Sequence, residues 1–396
     1  MAVILQLGAG ELMKHSIRQI QAMGHQVYAI DKNPNAPAFS IADGFQAIDL
    51  IDTESIVNYA RKINADAILA VNEAGVLSAA QASQILSLRG LDPAIAIKAL
   101  DKGKMRQAWQ NASLSQPQFA LVNNPEDIPN IAEKIGYPVV VKPTMNWGSR
   151  GVSVAETPDD LAWSIDFASQ NRKANTDFSI EEYIDGIEMT IEGLIQNNEV
   201  IILAKSDKIL QEHARYRVDQ ALHYPANLPE ETLAKVDELF VKAAQALDLN
   251  NCALHCEMRV KNDEPYLIEM AARPGGGHIF GQIVEAVSGI SMPQALTNIL
   301  LDTEFEKYAK YQHGAVYRFF TPPLGIFMGV DGIDEARSLA GVLDFGFHME
   351  IGTKVEPYAD GASRPGYCVT TAETRAEAIA IAEKAIATLR YQMEVI

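Results

Sequence analysis

The sequence predicts an α/β and α+β multidomain protein, and three observations carry that reading. Strands and helices alternate through the first hundred residues, the middle is strand-rich with one long helix, and the end returns to strands closed by a helix. At about 150 residues per domain, a chain of 396 residues should hold two or three domains. Apolar residues make up 48% of it and charged residues 21%, which is ample material for a core.

Taken in order, Val3 to Leu7 is a short apolar run, followed by Gly8-Ala9-Gly10 and a helical stretch to Met23. Gly24-His25 ends that helix before a strand from Gln26 to Ile30, with Asp31 at its end. Asn33-Pro34-Asn35 reads as a loop, Thr53 to Ile63 as a helix and Ala67 to Val71 as a strand. This spacing implies a parallel, doubly wound sheet. Asp101 has the chemistry to cap a helix from Lys102 to Asn111. After Pro117 come a helix near Pro125–Lys134, strands at Tyr137–Lys142 and Val152–Ala155 around a Gly-containing loop, and further strands at Phe178–Tyr183, Glu188–Leu194 and Val200–Lys205. A helix from about Pro229 to Leu247 precedes strands at Ala253–Val260 and Tyr266–Met270. The spacer Lys261-Asn262-Asp263-Glu264-Pro265 has turn chemistry, so these two strands should form an antiparallel hairpin. From His313 the pattern is that of a small α+β unit ending in a helix near Thr374–Leu389.

Composition excludes several functions. The balance of 51 acidic to 33 basic residues gives a formal charge of -18, which repels nucleic acid and anionic membranes. No apolar run approaches the 18 or more residues of a membrane span. Met1 to Gly8 reads as a first strand rather than a signal peptide. Three cysteines, Cys252, Cys256 and Cys368, do not make a disulfide framework. A soluble, cytoplasmic protein is expected.

Gly8-x-Gly10 with Asp31 outlines a dinucleotide fingerprint, but Met13 stands where the third glycine belongs, so a tight strand-to-helix turn serves equally well. The hairpin is more informative. Alternation puts Ala253, His255, Glu257 and Arg259 on one face, with Cys256, Met258 and Val260 on the other. With the turn centred on Asp263, Glu257 sits opposite Glu269, and two facing carboxylates call for a cation such as a divalent metal between them. The Cys252-x-x-His255-Cys256 cluster is split between faces, so core packing explains its thiols better than zinc does. Directly afterwards, Arg273-Pro274-Gly275-Gly276-Gly277-His278 opens an apolar-periodic helix from Ile279 to Val287, an arrangement that offers backbone N–H groups and a guanidinium to an anion. Lys142 ends a strand beside the loop Met145–Gly151, which could close over phosphates. Lys102 and Lys104 at a helix start are the other candidate phosphate ligands. No G-x-x-x-x-G-K-[ST] occurs, so this is not a P-loop.

In this order the residues resemble the ATP-grasp superfamily: Asp101-Lys102-Gly103-Lys104-Met105-Arg106, then Val139-Val140-Val141-Lys142-Pro143, then Glu181-Glu182-Tyr183-Ile184-Asp185-Gly186-x-Glu188, then Glu257, then Glu269-Met270-Ala271-Ala272-Arg273-Pro274-Gly275-Gly276. The resemblance includes the preceding Rossmann-like stretch with Asp31-x-Asn33-Pro34-x-Ala36-Pro37. With Arg364-Pro365-Gly366-Tyr367 near the end, it points to the carboxylate–amine ligase branch, most like L-amino-acid (dipeptide) ligases. It implies a Rossmann-like domain over 1–100, an ATP-grasp domain over 101–305 (small lid lobe 101–185, large lobe 186–305) and a C-terminal closing subdomain over 306–396. It further implies that Lys102 and Lys142 bind phosphates, with Ser149 and Gly151 of the loop beside them. Glu181, Glu182, Tyr183 and Ile184 would form the hinge that reads adenine through backbone groups, Glu188 would hold the ribose hydroxyls, and Glu257 and Glu269 would bind magnesium, for which manganese could substitute. Arg273, Lys142 and Gly276 would serve catalysis. Many relatives carry an asparagine where Ala271 stands, a departure that leaves the number of metal ions open.

The expected activity is ATP-dependent, ADP-forming ligation: a carboxylate is activated as an acyl phosphate and joined to an amine, expected to be an amino acid, in an amide or peptide bond. His223, His278 and Gly277 are candidates to meet the substrate, and the two histidines are candidate bases. Small molecules are the expected partners, with a homodimer as the open assembly state. Three alternatives stand beside this reading: an ATP-grasp enzyme with another acceptor (formate with phosphate, or a thiol), an NAD-dependent oxidoreductase using Gly8, Gly10 and Asp31, and a nucleotide-binding protein without catalysis.

Overall fold

A central parallel strand must bury both faces, and the first strand does so. In β1 (Val3–Leu7), Ile4 and Leu5 are fully buried and enter separate cores on opposite sides of the sheet. The computed structural model describes residues 1–146, 148, 150–210, 218–356 and 364–394. After β1 come α1 (Met13–Ala22), β2 (Gln26–Asp31), β3 (Gly44–Ala47), α2 (Thr53–Ile63), β4 (Ala67–Ala70) and α3 (Val76–Leu86). The strands form a parallel sheet in the order β3-β2-β1-β4. Asp52 caps α2 by accepting from the Ser55 N–H at 3.1 Å. Asp31 accepts from the Ala9 N–H at 3.1 Å and the Asn33 N–H at 3.0 Å. Its carboxylate therefore braces the strand-to-helix turn, and Gly8 holds that turn at φ +111°.

The helices α4 (Pro93–Leu100) and α5 (Lys102–Asn111) follow. Asp101 caps α5 as its side chain suggested, accepting from the Gly103 N–H at 2.9 Å. Next come β5 (Phe119–Val122), α6 (Ile128–Ile135), β6 (Val139–Pro143), β7 (Ser153–Ala155), α7 (Pro158–Gln170) and β8 (Phe178–Glu182). Their strands make an antiparallel sheet in the order β5-β8-β6-β7. The sequence reading passed over α7, although its start is marked by a capping box in which Thr157 and Asp160 bond reciprocally.

The remaining elements are β9 (Ile187–Gln196), β10 (Glu199–Leu210), β11 (Asp219–Tyr224), α8 (Glu230–Ala246), β12 (Cys252–Lys261), β13 (Glu264–Ala271), α9 (Val284–Ser288), α10 (Met292–Leu301), β14 (Gly314–Phe320), β15 (Gly325–Asp331), α11 (Ile333–Ser338), β16 (Val342–Phe347), β17 (Lys354–Val355), β18 (Gly366–Ala372), α12 (Arg375–Ala387) and β19 (Arg390–Glu394). Eight of these strands form one antiparallel sheet in the order β13-β12-β9-β10-β11-β14-β18-β16, and β15, β17 and β19 form a small fourth one. The β11–β14 ladder crosses the expected boundary at 305/306, so β14, β16 and β18 extend the large sheet. Helix α8 covers that sheet, burying Val236 and Phe240 with Met105 and Trp109 of α5. The Trp109 indole N–H donates to the Ala243 carbonyl at 3.2 Å. Met105 and Trp109 of α5 thus pack with the core of the large sheet, while Arg106 reaches Glu181 of β8.

Candidate active site

The β12–β13 hairpin positions the acids, by a route the sequence only half disclosed. Its turn is two residues long, Asn262-Asp263, both at positive φ (52° and 61°), which suits the tight turn of a twisted hairpin. A regular ladder from that turn pairs Met258 with Leu267 and would pair Glu257 with Ile268. A bulge between Glu257 and Met258 shifts the register by one residue and sets Glu257 opposite Glu269. The bulge also sends Leu267 into the core with Met270 and leaves Ile268 beside Glu269 in the cleft, whereas alternation alone put Leu267 on the face of Glu269. The two carbonyls at the bulge are gripped from α5: Arg106 donates to Leu267 O at 2.8 Å and to Ile268 O at 2.9 Å.

Facing the hairpin across a cleft are the strands β6, β7 and β8. One compartment, about 290 Å³, is lined by Lys102, Lys142, Lys208, Glu257, Glu269 and Arg273, with Asp219 and Arg364 at its side. The adjoining compartment, about 100 Å³, has Val140, Val154, Ile268 and residues 181–184 for walls, with Glu188 at its rim. Lys142, Lys208, Glu257 and Ile268 border both. The carboxylates of the cleft have cationic partners. Lys102 lies 3.0 Å from Glu269, and Lys208 lies 2.8 Å from both Glu257 and Glu188. Arg259 bonds Glu188 through Nε at 3.1 Å. Burial alone would raise the Glu257 carboxyl, but Lys208 outweighs it and holds the group below its ordinary value. Glu257 and Glu269 are each about a quarter exposed (26% and 25%), so hard oxygen donors face the cleft and suit a magnesium-type ion.

Several expected site residues take other positions. The Glu181 carboxylate is sealed with Lys142 at 2.9 Å and Arg106 at 2.7 Å, and its burial (3% exposed) leaves only its backbone for a ligand. The N–H groups of Glu182 and Tyr183 already donate to Gln118 O at 2.8 Å and Pro138 O at 3.2 Å. Burial pushes the Lys142 ammonium below its ordinary value against the pull of Glu181. Arg273 reaches Glu73, after β4, at 2.6 Å and so ties the glycine turn to the first domain. In that turn Gly275 gives its N–H to Glu192 at 3.2 Å, and a five-residue π turn (Ile279–Ile283) with short α9 replaces the single expected helix. A free anion site at a helix start is therefore not formed by Gly275. Gly276 has open space about it, while Gly277, at φ +64°, has the Tyr317 hydroxyl 2.8 Å from where a Cβ would stand. Gly151 packs between Asn171 and Pro143. Ser149 lies outside the described residues, as does Trp147, so the loop Met145–Gly151 is only partly described.

Neither candidate base lines the cleft. His223 lies four residues along β11 from Asp219, roughly 13 Å at strand rise, and burial with Arg375 and Arg318 pushes its imidazole down to about 4. His278 is packed among Tyr317, Tyr367 and His15, with Nδ1 at 2.6 Å from the Gln282 side-chain oxygen. The histidine that does border the cleft is His255, 2.6 Å from Glu192; its burial opposes the charge, but Glu192 raises it above its ordinary value. The sequence reading also missed Lys208, Arg364, Glu73 and Arg106 as members of this network. Lys208 was hidden because β10 runs on to Leu210, five residues past the expected end.

The Glu181 cluster gives a pH expectation. Burial would raise this carboxyl, but Arg106 and Lys142 hold it well below the usual carboxylate range. Its contribution is complete above the unfolded value of about 4.3 and is lost as pH falls below that. Urea midpoints should therefore drop from pH 4.5 to pH 3 and drop less steeply in Glu181→Gln. Equal slopes in the two proteins would remove this role. His223 adds a separate loss that begins below about 6.5, its unfolded value, because its folded value is depressed.

Comparison with known proteins matches residues 135–282 to the ATP-grasp domain family and residues 318–394 to L-amino acid ligase C-terminal domain 2. Alanine–anticapsin ligase of Bacillus subtilis (strain 168) is 34% identical over 270 residues, which cover 62% of this chain and 56% of that protein. The match therefore spans little more than half the length of this relative. A formate-dependent phosphoribosylglycinamide formyltransferase of a Nitratiruptor species is 26% identical over 389 residues, covering 97% and 95% of the two chains. The crystal structure of an L-amino acid ligase from Bacillus licheniformis superposes with a TM-score of 0.85 at 23% identity, covering 100% of this chain and 99% of that one.

Proposed function

We propose, for a chain that carries an ATP-grasp domain and an L-amino acid ligase C-terminal domain, that it is an ATP-dependent, ADP-forming carboxylate–amine ligase. The observation that carries this reading is the pairing of Glu257 with Glu269 on the wall of a cleft that also holds Lys102, Lys142 and Arg273. The apolar compartment between Val140, Val154 and Ile268 suits a flat heteroaromatic base, with the backbone of residues 182–184 at its edge. Glu188 would take the ribose hydroxyls and the lysines the phosphates. Glu257 and Glu269 would hold magnesium or manganese, whose double charge would offset that of the phosphate chain.

In the first step a carboxylate oxygen attacks the γ-phosphorus and ADP leaves. In the second an amine attacks the acyl carbon, phosphate leaves and the nitrogen gives up a proton. The chain's part is to orient and to neutralise: Lys102 and Lys142 face the phosphates, and the Arg273 guanidinium faces charge developing on the acyl oxygen. Gly276 leaves room for backbone approach. Neither His223 nor His278 borders the cleft, so we assign the proton to no side chain.

The test is ADP and phosphate release across a matrix of amino acids and other carboxylate–amine pairs. Release that requires both an acid and an amine supports ligation, and ATP turnover with neither sinks it. A second reading is favoured by one observation, the match over 97% of the chain to a formate-dependent formyltransferase: the same ATP site with formate as the acid. Formate belongs in the matrix for that reason. An NAD-dependent reading has less to stand on, since Asp31 is committed to Ala9 and Asn33. No helix among the described residues is long and apolar enough to cross a membrane. Cytoplasmic residence, supported by three buried free thiols, and homodimeric assembly belong to the same proposal, the latter to be read by sedimentation.

A further inference from the structure

The cross-strand rows around β9 give Lys208 a position that, among the described residues, no other cation of the cleft shares. Glu188 on β9 has Lys208 of β10 on one side and Arg259 of β12 on the other. From that row the Lys208 ammonium also reaches diagonally to Glu257, so one charge joins the carboxylate proposed for the ribose to the carboxylate proposed for the metal, at 2.8 Å each. Its side chain is only 10% exposed, and it borders both compartments. Lys102, by contrast, holds Glu269 and has the Asn146 carbonyl at 2.6 Å as a second partner.

A divalent ion on Glu257 would stand close to the ammonium already bonded to that carboxylate, and like charges repel. Lys208 therefore competes with the ion for Glu257. An ammonium that turns from Glu257 keeps Glu188, and a further anion in the cleft would replace the partner given up. The phosphates of a nucleotide in the same cleft are such an anion. We propose that Lys208 is a positioning residue that couples metal binding to nucleotide binding, changing partner from Glu257 to the phosphate chain as Glu257 turns to the metal. This rests on the nucleotide reading given above. Because coupling is reciprocal, metal should favour nucleotide by the factor by which nucleotide favours metal.

The experiment follows Mn2+ binding to the full chain by electron paramagnetic resonance, alone and with a non-hydrolysable ATP analogue, in the wild type, Lys208→Met and Lys208→Arg. With no ammonium to displace and one more uncompensated acid, Lys208→Met should bind Mn2+ alone more tightly, on the order of tenfold. The gain in Mn2+ affinity on adding the analogue should be smaller in Lys208→Met than in the wild type and should persist in Lys208→Arg. A lysine that merely supports the fold would lower the melting temperature without tightening Mn2+ binding. Unchanged or weaker binding of Mn2+ alone in Lys208→Met, with the same gain from the analogue, overturns the coupling role and leaves the nucleotide reading intact. Failure of the wild type to bind Mn2+ and analogue together overturns that reading, and the coupling with it. If Lys208→Met does not fold, Lys208→Gln, which can still hydrogen-bond both acids, is held to the same outcomes.

Discussion

Glu269→Gln should lose ATP-dependent turnover by about three orders of magnitude or more, roughly 4 kcal/mol of transition-state stabilisation, while keeping the native fold. The change is isosteric, so the hairpin pairing is kept. Lys102 keeps its bond to the Asn146 carbonyl at 2.6 Å, so its ammonium is not stranded. What disappears is one of two facing charges on a site proposed to hold a divalent ion. Glu257→Gln should behave alike in turnover, although it also strips Lys208 of a partner. ADP release and the thermal midpoint, measured on the same preparation, separate chemistry from folding. Near wild-type turnover in Glu269→Gln would remove this residue from the metal site, and a collapsed midpoint would show that the charge serves the fold instead.

How much of this could be read from the chain alone depended on the range of the interactions involved. The Asp101 cap and the hairpin turn rest on neighbours a few residues apart, and local propensity discloses them. The parallel sheet is legible in the alternation of local strand and helix patterns rather than in the pairings of β1, which span 23 and 63 residues. The pairing of Glu257 with Glu269 was reached from a turn centred on Asp263. The molecule reaches it from a two-residue turn plus a bulge, and no local rule announces that bulge. Arg106, about 160 residues earlier, bonds the two carbonyls at the bulge. Lys208 was invisible for a related reason, since its partners lie on two strands whose neighbourhood follows from the order β12-β9-β10 rather than from sequence adjacency. His223 and His278 were singled out because histidine is the common proton carrier. Strand length carries one past the cleft, and aromatic packing encloses the other.

Glycine-turn chemistry misled in a more instructive way. Three consecutive glycines before an apolar stretch predict N–H groups open to an anion, and the reading held no information on Glu192. That buried carboxylate sits in the middle of β9 and takes the Gly275 N–H and the His255 ring together. A charged residue in a central strand signals a buried partner, and its cross-strand position opposite His255 follows once the order of the sheet is known.

Arg106→Met should destabilise the protein by about 3–5 kcal/mol, the largest stability effect expected of any single change in the cleft, because it removes one partner of a buried ion pair and leaves the other sealed. Arg106 is 1% exposed and Glu181 3%, and the guanidinium makes two bonds to that carboxylate, at 3.0 and 2.7 Å. Methionine fills similar volume, so a cavity is not the cause. The loss has two sources. Glu181 keeps only Lys142 and Ser179 as partners, and the carbonyls of Leu267 and Ile268 lose their buried donors. Adding Glu181→Gln to Arg106→Met should recover part of the loss, since a neutral amide tolerates burial better than an unpaired carboxylate. Urea unfolding of the wild type, both single variants and the double variant measures this coupling directly. The same arginine joins strand β8 to the hairpin strand β13, so the proposed ligation by Arg106→Met should also fall well below its melting range, where the protein is still folded. A cost under about 1 kcal/mol with normal turnover would mean that the hairpin keeps its bulge, and β8 its place, without Arg106.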